Sequence, residues 1–330
     1  MKFVYVLTSK EDDYYLEECI ISMLSLKKYN PKAEIIVLTD NQTEKTLVGF
    51  RGKVREIASK VITEHYDDKI TQKVRSRLLK TSMRRLVSGR FLFIDTDTVI
   101  ADSLEIAESM NADIAMVLDK HVSISEHYLY KVLQGNAKKM NYAAGFEDKH
   151  FNSGVIYVND SVAAYQFFDL WHLLYKESLK KQIDIDQVSL NEANARMKGV
   201  IFEIDGTWNV QINCGLKYIS EAKIIHYLGY QPMNRQNIYF NTLPFRLCDA
   251  EHFEDMKKCG QITKEINEII NHPKSAFKIV TIIPADCATY TLVFSNHMRL
   301  LKFVYVKLQI IYRIFENIYG KLFSYIFKRV

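Results

Sequence analysis

The chain has 330 residues, of which 48% are hydrophobic and 25% are charged, as is typical of a folded globular protein. Five prolines and twelve glycines are too few for long linkers or low-complexity segments, which argues against disorder. The five cysteines are odd in number and scattered, so neither a disulfide framework nor a thiolate zinc site is expected, and a reducing cytoplasm fits best.

The net charge of +5 is concentrated at one end, because residues 296–330 contain seven Lys or Arg and a single Glu. A basic patch of this kind favours contact with an anionic surface over a nucleic-acid groove that crosses the whole protein. The apolar run at the N-terminus is too short for a signal peptide, and no uncharged apolar run reaches 18 residues. We therefore expect a soluble or peripheral protein.

The first half of the chain alternates between strand and helix patterns. Residues 2–9 and 33–40 are apolar and rich in β-formers, and residues 13–30 between them have helical spacing of apolar side chains. A basic helix at about 70–87 leads into RFLFIDTDTVI at 90–100, which indicates a further strand. Such alternation predicts an α/β fold with a mixed, mostly parallel sheet between helices.

Two later apolar runs, 113–119 and 153–159, also end in a polar residue, Asp119 and Asn159. Open α/β sheets bind ligands at the carboxyl ends of their parallel strands, so these ends are candidate ligand positions. The remaining predicted elements are helices at 161–181 and 184–198, and strands at 200–205 and 222–229.

Asp95 and Asp97 follow the apolar run FLFI and form a DxD motif. Two carboxylates at this spacing can address one hard cation such as Mg²⁺ or Mn²⁺, although a solvated acidic loop has the same pattern. The segment also fits the motif of haloacid-dehalogenase-type phosphatases, in which the first Asp is a nucleophile. That motif belongs to the first strand, whereas at least two predicted strands precede it here, which speaks against a phosphatase.

Several short segments resemble the family 8 glycosyltransferases, which include bacterial lipopolysaccharide galactosyl- and glucosyltransferases and glycogenin. The resemblance covers roughly residues 2–232 and rests on segments in the family's order: VLTS, Arg77-Leu78, FIDTDTVI, FNSGVIYVN, IDQVSLN, WNVQ and IIHYLG. It implies a GT-A nucleotide-diphospho-sugar transferase domain over 1–245. A helical or irregular extension would follow over 246–295.

The resemblance also implies a donor site. It assigns Asp95, Asp97 and His226 to a Mn²⁺ or Mg²⁺ ion, Asp186 to a sugar hydroxyl, and Gln187 to the face of the anomeric carbon. Asp97, Asp186 and Gln187 would be the catalytic residues. The remaining donor-binding residues that it implies are Thr8 and Ser9 near the uridine, Arg77, Thr96, Asp119, Asn152, Gly154, and Gly229 near the phosphates.

Several of these residues also have an ordinary structural explanation. His226 lies in an apolar segment, where a histidine is more often a hydrogen-bonded core residue than a ligand. Asp186 and Gln187 fit a helix N-terminus, and Arg77 fits one solvated face of a basic helix. Two departures from the family pattern affect the diphosphate and sugar contacts: Gln231 stands where a Lys is expected, and Val188 replaces the second acid of the DQD motif.

Residues 296–330 combine a stripe of Leu, Ile and Phe with basic residues and aromatics. This pattern predicts an amphipathic helix that lies on an anionic membrane surface, the alternative being a helix packed on the domain or on a second subunit.

The resemblance implies a retaining glycosyltransferase, and the basic tail places it at the inner face of the cytoplasmic membrane. It would transfer a hexose, galactose or glucose, from a UDP-sugar to a hydroxyl of a glycan or lipid-linked acceptor in lipopolysaccharide or capsule synthesis. A phosphatase and a non-catalytic nucleotide-sugar or membrane-binding module are the alternatives, and the oligomeric state stays open.

Overall fold

The computed structural model describes residues 1–127, 129–143, 149–228, 247–276 and 318. Its strands are β1 Lys2–Leu7, β2 Glu34–Asp40, β3 Lys60–Glu64, β4 Phe91–Ile94, β5 Thr98–Ile100, β6 Ile114–Leu118, β7 Phe151–Val158, β8 Ile201–Glu203, β9 Val210–Gln211 and β10 Ile224–His226. Its helices are α1 Tyr15–Tyr29, α2 Asn41–Lys45, α3 Lys53–Ile57, α4 Gln72–Leu86, α5 Tyr130–Met140, α6 Val162–Lys180, α7 Asp186–Arg196, α8 Ala250–Cys259 and α9 Lys264–Asn271.

Seven strands form the main sheet, in the order β3-β2-β1-β4-β7-β6-β8. Only β7 runs antiparallel to its neighbours, β4 and β6, and the other pairs are parallel. A second, three-stranded sheet has the order β5-β10-β9. The predicted α/β fold with a mixed, mostly parallel sheet is confirmed.

Helices cover both faces of the main sheet, and this explains its apolar strands. In β1, Tyr5 and Leu7 point into a core with α1, whereas Val4 and Val6 point into a second core with α4 and α6. Successive side chains of a strand alternate between faces, so a strand covered on both sides reads as a continuous apolar run.

The predicted strand over 90–100 is in fact two strands in different sheets. After β4 ends at Ile94, the amide of Asp95 still donates to the carbonyl of Gly154, at 2.8 Å. The chain then leaves the main sheet, and β5 pairs with β10, with Thr98 opposite His226. Carboxylates are costly in a strand that is buried on both faces, and the break occurs where Asp95 and Asp97 stand.

The direction of β7 corrects the expectation for residues 153–159. Because β7 is antiparallel to β4 and β6, its first residues lie at the edge where those strands end, and Asn159 lies at the opposite edge. Asn159 accepts there a hydrogen bond from Arg90, at 3.3 Å. Asn152, at the beginning of β7, therefore faces the expected ligand edge.

The described part of the predicted extension, residues 247–276, forms α8 and α9. Phe253, Met256 and Ile269 are buried in the same core as α1. The predicted amphipathic helix at 296–330 lies outside the described residues, apart from Ile318. Among the helices that the structure describes, none is long and apolar enough to cross a membrane.

Candidate active site

Asp95, Asp97 and His226 come together where the two sheets meet. Their ligating atoms all lie within 4.8 Å of one another, and His226 Nε2 is 3.2 Å from Asp97 Oδ1. The side chains of Asp95 and Asp97 keep 27% and 13% of their exposure, so a ligand can reach them. Two carboxylates and one imidazole on one side of an open position suit a divalent cation that shares its remaining positions with water or phosphate.

The orientation of His226 is fixed by a hydrogen-bond network. Asn209 donates through its amide nitrogen to Asn152 Oδ1, at 2.9 Å, so the amide oxygen of Asn209 faces His226 Nδ1, also at 2.9 Å. This network assigns a proton to Nδ1, and Nε2 is the ring nitrogen that faces Asp97. A neutral imidazole in this tautomer is what a metal ligand requires.

The same network continues to Asp119. Asn152 donates to Asp119 Oδ1 at 2.7 Å, and the other oxygen, Oδ2, lies 2.9 Å from His127 Nε2. Burial would raise the pKa of Asp119, but Lys120 and His127 outweigh it and hold the pKa far below its usual range. Asp95, Asp97 and His226 are called the metal-ligand cluster below. Two of the predicted donor-binding residues, Asp119 and Asn152, are thus joined to this cluster through Asn209.

Gly154 is required by packing against His226. A Cβ on Gly154 would lie 2.7 Å from His226 Nδ1 and even closer to the neighbouring ring carbon. The resemblance placed Gly154 among the donor-binding residues, and the structure places the ring of His226 against it.

Asp186 and Arg77, two of the predicted donor-binding residues, form an ion pair. Asp186 is the first residue of α7; its Oδ1 lies 3.0 Å from Arg77 Nε, and its Oδ2 accepts from Ser153 Oγ at 3.1 Å. Burial works to raise the pKa of Asp186, but Arg77 and Lys80 outweigh it, so the pKa lies below its usual value. The carboxylate is therefore ionised and rigidly held at neutral pH.

Three basic residues of α4 are buried and do not lie on the solvated face that the sequence led us to expect. Arg75 and Lys80 are each 2% exposed and Arg84 is 1% exposed. Arg75 Nε is 2.7 Å from Asp40, and Lys80 Nζ is 3.0 Å from Asp95. These residues are buried because each has an ion-pair partner, which a basic sequence pattern alone does not reveal.

The loop that carries the DxD motif is supported by buried hydroxyl groups. Thr98 Oγ1 donates to the carbonyl of Asp95 at 2.8 Å and lies 2.8 Å from Ser22 Oγ, which in turn lies 3.1 Å from the hydroxyl of Tyr5. The network ties the loop to α1 and β1. Ser22 and Tyr5 had no predicted role.

Glu18, one turn before Ser22 on α1, is completely buried, and neither of its carboxylate oxygens has a hydrogen-bond partner among the described residues. Burial raises the pKa of Glu18, and the charge of Asp97 raises it further. Burial also raises the pKa of Asp95 against the opposing effect of Lys80, whereas His226 holds the pKa of Asp97 below its usual value in spite of burial. The carboxyl groups of Glu18, Asp95 and Asp97 therefore influence one another's pKa values in this part of the protein.

Thr8 and Ser9, the predicted uridine neighbours, follow β1 and are both buried. Their hydroxyl groups are engaged within the protein: Ser9 Oγ donates to Asp13 at 2.6 Å and accepts from Arg51 at 3.0 Å, and Thr8 Oγ1 donates to the carbonyl of Gln72 at 3.4 Å. The hydrogen bonds of these two hydroxyl groups therefore go to neighbouring protein residues. Among the described residues, neither hydroxyl group bonds directly to Asp95, Asp97 or His226.

Gln187 and Thr96 are half-buried. Gln187 directly follows Asp186 in the first turn of α7, and its side chain makes no hydrogen bond to any residue within the described ranges. Gly229 and Gln231 lie outside the described residues, so the predicted phosphate neighbours have no structural account.

The comparison with protein families decides between the alternatives that the sequence left open. The sequence profile "Glycosyl transferase family 8" matches residues 6–233. The chain belongs to this family. It is therefore a glycosyltransferase and not a phosphatase, and this assignment, with the mixed sheet described above, confirms the expected GT-A fold. No curated protein matches the chain.

Solved structures similar to this family 8 chain are glycosyltransferases. The galactosyltransferase LgtC in complex with donor and acceptor sugar analogs has 14% identity and a TM-score of 0.48, over 81% of this chain and 99% of that chain. Mouse xyloside xylosyltransferase 1 in its apo form has 14% identity and a TM-score of 0.45, over 68% and 96%. The bifunctional glycosyltransferase WbbM has 17% identity and a TM-score of 0.47, over 70% of this chain and 46% of that chain, so this chain spans less than half its length.

Proposed function

We propose that this family 8 glycosyltransferase transfers a hexose, galactose or glucose, from a UDP-sugar to a hydroxyl of a cell-surface glycan or glycolipid, with Mn²⁺ or Mg²⁺ at Asp95, Asp97 and His226. The observation that carries the proposal is the orientation of His226, whose Nε2 lies 3.2 Å from Asp97 Oδ1 while Asn209 accepts a hydrogen bond from Nδ1. A divalent cation bound there would neutralise the charge that develops on the departing UDP.

The sugar-side residues have separate roles in this proposal. Asp186 accepts a hydrogen bond from a sugar hydroxyl, and its position is held by Arg77 and Ser153. The side-chain amide of Gln187 makes no hydrogen bond to the residues that the structure describes, and in this proposal it positions the donor and stabilises charge near the anomeric carbon. An amide is a poor nucleophile, so we propose retention through front-face attack, in which the leaving phosphate accepts the proton of the acceptor hydroxyl.

The experiment that tests this function measures UDP release from UDP-galactose and UDP-glucose, with and without Mn²⁺, in the absence of an acceptor. We expect slow, metal-dependent hydrolysis in the wild type. We expect its loss in Asp97→Asn, which keeps the shape of the side chain but removes a charged ligand. Asp169→Asn, at a half-exposed carboxylate on α6, should keep the wild-type rate. Equal rates with and without metal, or full activity of Asp97→Asn, would contradict the proposed metal site.

For the membrane we propose that residues 296–330 attach the enzyme to the anionic inner leaflet, near a lipid-linked acceptor. The support is the sequence pattern of seven basic residues, one Glu and an apolar stripe. Co-sedimentation of the full chain with liposomes tests it: binding should be much stronger to vesicles that contain anionic lipid than to neutral vesicles, and should fall with salt. Equal binding to both kinds of vesicle would refute it.

A further inference from the structure

Asp95 forms an ion pair with the ammonium group of Lys80. Lys80 Nζ lies 3.0 Å from Asp95 Oδ1, 3.2 Å from Asp95 Oδ2 and 3.2 Å from Ser153 Oγ. Its side chain is buried, and the ring of Phe93 lies 4.8 Å away. The ammonium group thus contacts both oxygens of one carboxylate and donates to a hydroxyl group as well.

Two of the three carboxylates around the site have a fixed positive partner. Lys80 neutralises Asp95, and Arg77 neutralises Asp186. Asp97 Oδ1 lies 3.2 Å from His226 Nε2, and within the described ranges no Lys or Arg forms an ion pair with Asp97. The aspartates and the two basic side chains together carry one net negative charge, which is less than a divalent cation needs for compensation.

We propose that Lys80 weakens the binding of a divalent cation to the free enzyme, so that the cation binds firmly only together with the diphosphate of the donor. This inference rests on the proposed metal-assisted function. An ammonium group in contact with both oxygens of Asp95 repels a cation at the same carboxylate and offsets the negative charge of that ligand, whereas a diphosphate adds the missing negative charge. Because binding coupling is reciprocal, the cation must raise the affinity for UDP by the same factor.

The test titrates Mn²⁺ into the full-length protein, with and without UDP, and follows free Mn²⁺ by electron paramagnetic resonance. Lys80→Gln removes the charge but keeps amide donors for Asp95 and Ser153, and Lys80→Met removes both. Without UDP we expect Lys80→Gln to bind Mn²⁺ at least about tenfold more tightly than the wild type, with a smaller gain on adding UDP. Lys80→Arg should behave as the wild type. A purely structural role of Lys80 predicts the opposite sign, because a displaced Asp95 would bind Mn²⁺ more weakly.

Lys73→Gln is the matched control, since Lys73 lies on the same helix, is half exposed and pairs with Asp184 at 2.9 Å; its Mn²⁺ affinity should not change. Folded neutral variants of Lys80 that bind Mn²⁺ no more tightly than the wild type would overturn the inference. If both neutral variants fail to fold, the test uses the Mn²⁺ affinity of the wild type alone. A rise of tenfold or more in this affinity on adding UDP supports the inference, and equal affinity with and without UDP refutes it. No Mn²⁺ binding by the wild type even with UDP would instead overturn the proposed metal site, and this inference with it.

Discussion

His226 can serve as a ligand only while its Nδ1 proton has an acceptor, and Asn209 supplies it. Replacing Asn209 with Ala removes this acceptor and frees the ring to rotate or change tautomer. We expect Mn²⁺ affinity in the presence of UDP to fall about 10- to 100-fold, as is usual when a partner of a metal-bound histidine is lost. The same Mn²⁺ titration measures it, with Asn111→Ala at an exposed position as the control. An unchanged affinity in Asn209→Ala would show that His226 needs no such support.

The contact between Gly154 and His226 gives a second prediction for a single residue. In Gly154→Ala the new methyl group collides with a ring that is held on its other side by Asn209, so β7 or His226 must move. We expect a loss of about 1–3 kcal/mol in the free energy of unfolding, measured by urea denaturation, together with weaker Mn²⁺ binding. Gly135→Ala on α5, where a Cβ meets no atom within 4 Å, should be neutral or stabilising. Equal stability of the two variants would contradict the proposed collision.

Single site residues could be predicted from the sequence where they lie in a recognisable motif, and could not where their role depends on a contact formed in the folded chain. The DxD spacing drew attention to Asp95 and Asp97, whereas His226 was assigned through the resemblance of IIHYLG to the family, because its apolar segment alone favours a core histidine. Lys80 was not, because a buried lysine on a helix with several other basic residues has no local signature. Asn209 lies in the WNVQ segment that matches the family, but its bond to His226 depends on a contact that only the folded chain makes.

The positions of helices and strands could be predicted where apolar side chains mark their burial. The direction of a strand within the sheet could not be predicted. β1, α1, β2 and α4 agree with the sequence pattern because apolar periodicity records burial directly. Periodicity does not record whether a strand runs parallel or antiparallel, so the reversed direction of β7, which brings Asn152 to the site, was missed. The break between β4 and β5 was missed because the strands on its two sides are equally apolar.

The pairing of α4 with α7 through Arg77 and Asp186 should make stability depend on pH. The pKa of Asp186 is lowered in the folded state, so its stabilising contribution is present above the unfolded value of about 4 and is lost as the pH falls through the folded value. Arg77→Met should therefore be less stable than the wild type at pH 7, and the difference should narrow as the pH falls below about 4. Urea denaturation across this pH range measures it.

The control for this prediction is Arg85→Met on the same helix, because Arg85 pairs with Asp169 at 2.7 Å where both side chains are 53% exposed. Solvent screens an exposed pair, so this variant should differ little from the wild type at any pH. A difference between Arg77→Met and the wild type that stays constant from pH 7 to pH 3 would mean that the pair with Asp186 does not lower its pKa.

For the whole molecule, the question is whether residues 247–276 fold as one unit with the transferase region. α8 contacts the segment between β1 and α1: Phe253 stacks on Tyr14 with 4.9 Å between ring centroids, and Lys257 donates to the carbonyl of Asp13 at 2.7 Å. Asp13 in turn accepts from Ser9. The helix thus supports the loop that carries the predicted uridine neighbours, and we propose that it belongs to the catalytic unit.

Phe253→Ala tests this proposal. Phe253 is completely buried, so truncation should lower the free energy of unfolding of the whole chain by about 3–5 kcal/mol within a single urea transition. Phe202→Ala, at a side chain that is 62% exposed on β8, should change it by less than about 0.5 kcal/mol. If Phe253→Ala instead produces an early separate transition and leaves the main one unchanged, α8 and α9 are a separate unit. In that case the loop that holds Ser9 must be stable without them.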